Sequence, residues 1–132
     1  MMKNKVFILF VTLLVVNVSF SQTKFVKKEI SLKAPYVVEV YTMPFCGHCK
    51  VVESKLKTYN ISYVEKNIFL SKKLQAEMRK RSHGEEGTPR IFINDHYIGG
   101  RKDFDQLNDA TLMKLAKGQP ITINIKVPDD EP

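Results

Sequence analysis

Apolar and polar positions change period several times along the chain, and each change marks an element. Val37 to Tyr41 is an apolar run rich in β-branched residues, broken by Glu39 and closed by Pro44, which predicts a buried strand. From Cys46 the period becomes helical. Cys49, Val52, Leu56 and Tyr59 share one face, Lys50, Glu53, Lys55 and Lys57 lie elsewhere, and the helix should stop near Asn60. Ser62 to Lys66 predicts a second strand, and Ser71 caps a helix with Leu74 and Met78 inside that ends around Arg81. His83 to Gly87 reads as a loop. Arg90 to Asn94 is a strand, Asn94-Asp95 a turn, and Tyr97-Ile98 a short return strand. Beyond Gly99-Gly100, Asp103 caps a helix carrying Phe104 and Leu107. A last helical stretch holds Leu112, Leu115 and Ala116, with Gly118 and Pro120 as stop signals. The order β-α-β-α-β-β-α predicts an α/β domain with a mixed sheet.

The two ends are patterned differently. Phe25 to Leu32 fits a helix through Val26 and Ile30 and a strand through Ile30 and Leu32. Ile121, Ile123, Ile125 and Val127 alternate, which predicts an extra C-terminal strand, and Asp129 to Pro132 should fray. At the start, Lys3 and Lys5 precede an apolar run from Val6 to Val18, and Ser19-Phe20-Ser21 offers small residues for cleavage before Gln22. That is the layout of a secretory signal peptide. A retained membrane anchor is the rival reading, but the run is shorter than the roughly 20 residues a spanning helix needs. The expectation is a signal peptide at 1–21, an N-terminal extension at 22–36, a single domain at 37–118 and a C-terminal extension at 119–132. The mature protein is then periplasmic or secreted, and meets the membrane only through its signal segment.

The formal net charge is +7. The lysines alternate with acids rather than forming a block. Arg79, Lys80 and Arg81 are the only tight cluster and carry no interleaved aromatics, so they read as a solvated helix end rather than a nucleic-acid site.

The chain has only two cysteines, Cys46 and Cys49, set between a strand end and a helix start. There the first sulfur meets the unpaired N–H groups and positive dipole end of the helix, which stabilise a thiolate and favour attack on disulfides. Cys49, one turn on, lies on the buried face and can close the ring, so the pair can cycle between dithiol and disulfide. A purely structural bridge over so few residues would remove little unfolded-state entropy. Zinc would need two further ligands, for which the candidates are His48, His83 and His96, with His48 poorly placed inside the motif, and no metal is expected. An exported compartment also favours disulfide chemistry. Thr88-Pro89, after a glycine loop and before a strand, is a second feature. The spacing alone leaves a cis and a trans peptide bond equally open.

From about Val37 to Gly118 the chain resembles the glutaredoxin branch of the thioredoxin-like superfamily. The resemblance is carried by Val38-Glu39-Val40-Tyr41-Thr42 ahead of the Cys-x-x-Cys, by Thr88-Pro89 with Arg90-Ile91-Phe92-Ile93-Asn94, and by Tyr97-Ile98-Gly99-Gly100 with Asp103. It implies a thioredoxin-like fold, a mixed four-stranded sheet flanked by helices, with Pro89 as a cis-proline facing the cysteines and its neighbour Thr88 free to pair with an extended substrate. It also offers Phe25 to Ser31 as the leading helix of the family. The reacting segment, Met43-Pro44-Phe45-Cys46-Gly47-His48-Cys49-Lys50, looks instead like the active site of protein disulfide isomerase, with Phe45 where that family has tryptophan.

These likenesses imply a monomeric thiol–disulfide oxidoreductase with Cys46 as nucleophile, Cys49 as resolving thiol, and protein thiols and disulfides plus an unidentified redox partner as its partners. Thr88, Gly100 and Asp103 stand where the family contacts glutathione or a substrate backbone. Met43 replaces the lysine that usually contacts glutathione, and Lys102 stands where a small or acidic residue is common, which weighs against glutathione as a cofactor. The alternatives are an exported glutathione-dependent glutaredoxin and, outside enzymes, a metal-binding or redox-inert module on the same fold. A partly protonated His48 beside the Cys46 thiolate would favour the reduced form. Glu39 lies seven residues before Cys46, where the thioredoxin and isomerase acid lies six before, so it should face the other side of the strand and act structurally. The acceptor for the Cys49 proton is left unassigned.

Overall fold

The computed structural model describes residues 24–129. The expected signal segment at 1–21 and the last residues of the expected frayed tail lie outside that range. The elements in chain order are β1 (Phe25–Leu32), β2 (Val38–Thr42), α1 (Gly47–Thr58), β3 (Val64–Asn67), α2 (Lys72–Arg81), β4 (Arg90–Ile93), β5 (His96–Gly99), α3 (Arg101–Phe104), α4 (Asp109–Ala116) and β6 (Ile121–Pro128). The central sheet has the order β3-β2-β4-β5, with β2 parallel to β3 and antiparallel to β4, and β4 antiparallel to β5. This is the mixed four-stranded, thioredoxin-like arrangement that the resemblance implied.

Alternation along β2 divides the core. Val38 and Val40 point to a cluster with Val52 and Leu56 of α1 and Phe104, Leu112 and Leu115 of α3 and α4. Tyr41 points the other way, to Ile68, Met78, Phe92 and Tyr97. Glu39 shares that second face. It accepts two hydrogen bonds from the Arg81 guanidinium, both at 2.9 Å, and pairs with Lys66 at 2.8 Å. Arg81 also lies 4.1 Å above the Phe92 ring. The basic cluster is therefore not wholly a solvated helix end. Arg79 and Lys80 are exposed, whereas Arg81 folds inward because a buried carboxylate needs a bidentate partner. That pairing, led by the Arg81 hydrogen bonds, holds the Glu39 carboxyl down at about 2.

Phe25 to Leu32 is a strand and not the leading helix that the resemblance offered. It pairs antiparallel with β6 along its whole length, Leu32 opposite Ile121 and Ile30 opposite Ile123. Ile121, Ile123 and Ile125 are buried in the α1-side core while Thr122 and Asn124 face out. A helix over these residues would leave the β6 edge unpaired, which the ladder avoids. The extra C-terminal strand is thus real, but it lies in a second, two-stranded sheet. Tyr36 fastens the ribbon, its hydroxyl donating to the carbonyls of Leu32 at 3.0 Å and Gln119 at 2.7 Å. Two boundaries also move. The strand expected at Ser62–Lys66 is Val64–Asn67, the register in which Glu39 to Thr42 find partners. The helix expected to begin at Asp103 begins at Arg101, with Gly100 as its N-cap. Asp103 still caps, reaching back from the third helical position to accept from the Gly100 N–H at 3.0 Å.

Candidate active site around Cys46 and Cys49

Cys46 is the N-cap residue of α1, and this position gives its sulfur two donors. The Cys49 N–H points at Sγ from 3.1 Å, as an N-cap side chain satisfies an orphan amide at a helix start. The Thr88 hydroxyl donates to the same sulfur from 3.4 Å, across from a loop 42 residues away in sequence. Both contacts strengthen when the sulfur is negative, since a charged acceptor roughly doubles a hydrogen bond. Cys46 is half-buried and reachable; Cys49 is only 2% exposed, on the face of α1 that carries Val52 and Leu56. The two are joined as a disulfide, so the structure is of the oxidised form.

The neighbouring cleft, about 500 Å³ in volume, includes His48, Thr88, Pro89, Gly100, Arg101 and Lys102 in its lining. The Thr88–Pro89 bond is cis. Thus the loop before β4 and the turn into α3 converge on the start of α1, and bring His48, Thr88, Pro89, Gly100 and Asp103 to one cleft beside the cysteine pair, whereas Glu39 is not among them. Asp103 also lines the cleft, yet its carboxylate is engaged from within: by the Gly100 N–H, and by Lys126 of β6 and Lys27 of β1 at 3.8 and 3.9 Å. Gly99 has a positive φ of 125°, and a β-carbon there would collide with the Asp103 side chain, so glycine is required for this cap to close.

His48 has a neighbour that no sequence pattern indicated. Arg101 Nη1 lies 2.7 Å from His48 Nδ1. A guanidinium can only donate, so Nδ1 is the acceptor and the imidazole proton sits on Nε2. The contact sets a permanent cation against the His48 ring. Arg101 also pairs with Asp105 at 3.4 Å, one turn along. Lys27, Lys126 and Arg101 carry no local sequence signal, because each reaches the site through tertiary contact. Glu39 stays on the α2 face of the sheet, away from α1, paired as described above.

A buried polar cluster supports the floor of the cleft. Glu85 accepts from Lys126 at 2.8 Å and from the Tyr97 hydroxyl, while Arg90 pairs with it at 3.4 Å. Burial alone would raise the Glu85 carboxyl, but Lys126 and Tyr97 outweigh it and hold it low. Burial, aided by that carboxylate, raises the Tyr97 phenol. Arg90 is pinned beneath Gly100, where a β-carbon would lie 3.1 Å from its Nη1.

A surface-reachable sulfur at a helix start, a buried partner one turn on and a proline loop alongside, set at the end of a central strand, define a thioredoxin-fold protein working through a dithiol/disulfide pair. Comparison with known proteins narrows this. The glutaredoxin family model matches residues 38–98. A glutaredoxin 1 of Rickettsia conorii is 33% identical over 91 residues, which cover 66% of this chain and 87% of that protein. A glutaredoxin of Neisseria meningitidis is 31% identical over 71 residues, 53% of this chain and 82% of its own. In three dimensions, wheat glutaredoxin superposes with a TM-score of 0.53 at 24% identity, over 61% of this chain and 78% of that one. The chain belongs to the glutaredoxin family and is a thiol–disulfide oxidoreductase. Residues 24–37 and 99–129, with β1, α3, α4 and β6, lie outside the family match.

Proposed function

We propose that this protein is exported and exchanges disulfides with protein substrates, without depending on glutathione. The observation that carries the proposal is the state of Asp103. Its carboxylate stands where the family resemblance assigns a ligand contact, but it already serves the Gly100 N–H, Lys126 and Lys27. A ligand ammonium would have to displace lysines supplied by strands outside the family match. Met43, at the position of the usual lysine, adds no cation for a ligand carboxylate. A lost charge-assisted hydrogen bond costs about 1.5–3 kcal/mol, or roughly tenfold to a hundredfold in affinity.

In the reducing direction, the Cys46 thiolate attacks one sulfur of the substrate disulfide. That S–S bond breaks, a mixed disulfide forms, and the other substrate sulfur leaves as a thiolate that takes up a proton. The Thr88 hydroxyl and the Cys49 N–H, both aimed at Cys46 Sγ, hold the thiolate before attack. Cys49 then loses its proton and displaces the substrate from Cys46, closing the intramolecular disulfide. Run backwards, the same two steps oxidise a substrate dithiol. An external thiol or disulfide partner resets the pair in either case. The isomerase-like segment from Met43 to Lys50 supports a protein as the substrate. The sequence at 1–21 supports a periplasmic or secreted location, and a monomer suffices for every step.

The test compares reduction of a mixed glutathione disulfide with reduction or reshuffling of a disulfide-bonded protein at matched enzyme concentration. Turnover of the protein disulfide at a higher kcat/KM is expected. Fast, saturable turnover of the glutathione adduct with inertness toward protein disulfides would overturn the proposal in favour of an exported glutathione-dependent enzyme.

A further inference from the structure

The sheet order puts the disulfide between two surfaces of opposite character. On the β3 side, Thr42 lies opposite Asn67 in the parallel β2–β3 pair, and the Ile68 N–H donates to the Thr42 carbonyl at 2.9 Å. The segments leaving the two strands therefore emerge side by side. They carry Met43, Phe45, Phe69 and Leu70, all exposed, with Phe45 fully so and Leu70 at 86%. Phe45 and Leu70 both stand at positive φ, 58° and 60°, a left-handed conformation disfavoured for residues with a β-carbon. Neither side chain packs on the core, so nothing inside the protein compensates for holding them outward.

On the β5 side, α3 brings Arg101 and Lys102 into the cleft beside His48 and Pro89. Arg101 shares Asp105 at 3.4 Å, and among the described residues Lys102 enters no ion pair. Strands β2 and β4, which lead to and from Cys46 and Pro89, separate the apolar rim from the cationic one. A membrane-binding surface would need its apolar and basic residues to meet the same bilayer surface together. Here they are segregated across the reacting sulfur, which suits a strand of polypeptide crossing it.

We propose that the preferred substrate is an extended polypeptide whose disulfide cysteine has an apolar residue on one side, seated on Met43, Phe45, Phe69 and Leu70, and an acidic residue on the other, paired with Arg101 and Lys102. This rests on the protein-disulfide reading above and specifies its substrate class. The chemistry is unchanged: Cys46 Sγ bonds to the flanked sulfur, the substrate S–S bond breaks, and the departing sulfur leaves as a thiolate. The net charge, +7 for the whole chain and +5 without Lys3 and Lys5 of the segment 1–21, adds long-range attraction for an acidic partner.

The test uses the prereduced protein and short peptides whose single cysteine is disulfide-bonded to thionitrobenzoate. Leu or Ser flanks the cysteine on one side and Asp or Asn on the other, in both orders. Release of the chromophore gives kcat/KM, normalised to the symmetric small-molecule disulfide of the same reagent. In one order the Leu/Asp peptide should lead by about tenfold for each determinant, equivalent to about 1.4 kcal/mol apiece. Raising the salt to 0.5 M should erase the Asp preference and leave the Leu preference. Phe45→Ser with Leu70→Ser should erase only the latter, and Arg101→Gln with Lys102→Gln only the former. Equal ratios across the peptides for the unmutated protein would overturn this inference while leaving the protein-disulfide reading intact. Inertness toward every peptide and protein disulfide, with fast turnover of a glutathione adduct, would instead remove the reading beneath it. Cosedimentation with anionic phosphatidylglycerol vesicles, abolished by Phe45→Ser with Leu70→Ser, would assign the apolar rim to a membrane and overturn the inference too.

Discussion

Cys46 and Cys49 differ in reach more than in chemistry. Cys46 is half-buried and Cys49, a helical turn inward, is buried, so in the proposed cycle the first sulfur meets the substrate and the second resolves the intermediate. Cys46→Ser should abolish turnover, while Cys49→Ser should accumulate mixed disulfides with substrates, visible as mass adducts that a reductant removes. His48 and Arg101 are the residues expected to tune the couple from outside the ring. Arg101 lies against His48 Nδ1, so a permanent cation stands beside the histidine of the Cys-x-x-Cys segment. Replacing Arg101 by Gln should make the pair more reducing, with a tenfold change in its equilibrium appearing as about 30 mV. Redox titration of the two proteins side by side reads that shift. An unchanged potential would reduce the His48–Arg101 contact to a positional one.

At the scale of elements, strand β2 is a partition between two kinds of core. Its α1 side is hydrocarbon, while its α2 side holds Glu39, Lys66, Glu77 and Arg81 around Tyr41. On the acid side, Glu39 carries the largest pH consequence among the described carboxylates. Its folded carboxyl sits at about 2, below its unfolded value near 4.5. Its contribution is therefore complete above about pH 4.5 and is lost as the pH falls through 2, because only the unfolded chain binds the proton over most of that window. Thermal melts between pH 6 and 2 should show the loss, and Glu39→Gln should flatten that part of the curve. The same variant should lower stability at pH 7 by about 3 kcal/mol, since Arg81 would be left with a poorer partner in a largely buried site.

At the scale of the molecule, the β1–β6 ribbon decides how the site is framed. Leu32, Ile121, Ile123 and Ile125 belong to the same core as Val52 and Phe104, so the ribbon is part of one hydrophobic body and not an appendage. Ile123→Ala should cost about 2–5 kcal/mol. Urea denaturation should still show one transition, whether followed by far-ultraviolet circular dichroism or by tyrosine fluorescence. Two separated transitions would show the ribbon unfolding by itself. The ribbon also sends Lys27 and Lys126 toward Asp103, and Lys126 to Glu85, so a packing element reaches into the polar framework of the cleft.

The redox pair and the central sheet were legible in sequence because their signals are local. A Cys-x-x-Cys at a strand-to-helix junction, the apolar runs around it and the Ser71 cap each depend on residues within a turn or two of one another. The ends were ambiguous for the opposite reason. Phe25 to Leu32 fits either period on its own, and only pairing with β6, some ninety residues later, selects the strand. Arg81 reads as a surface cation until the Glu39 carboxylate arrives beside it from 42 residues away. Nothing local indicates that Arg101 reaches His48, or that Asp103 is already engaged by two lysines. The sequence by itself determined where the cysteine pair sits and which strand and helix present it. Tertiary structure decided their electrostatic company, because charges and hydrogen bonds act through space between segments whose separation along the chain carries no record of the contact.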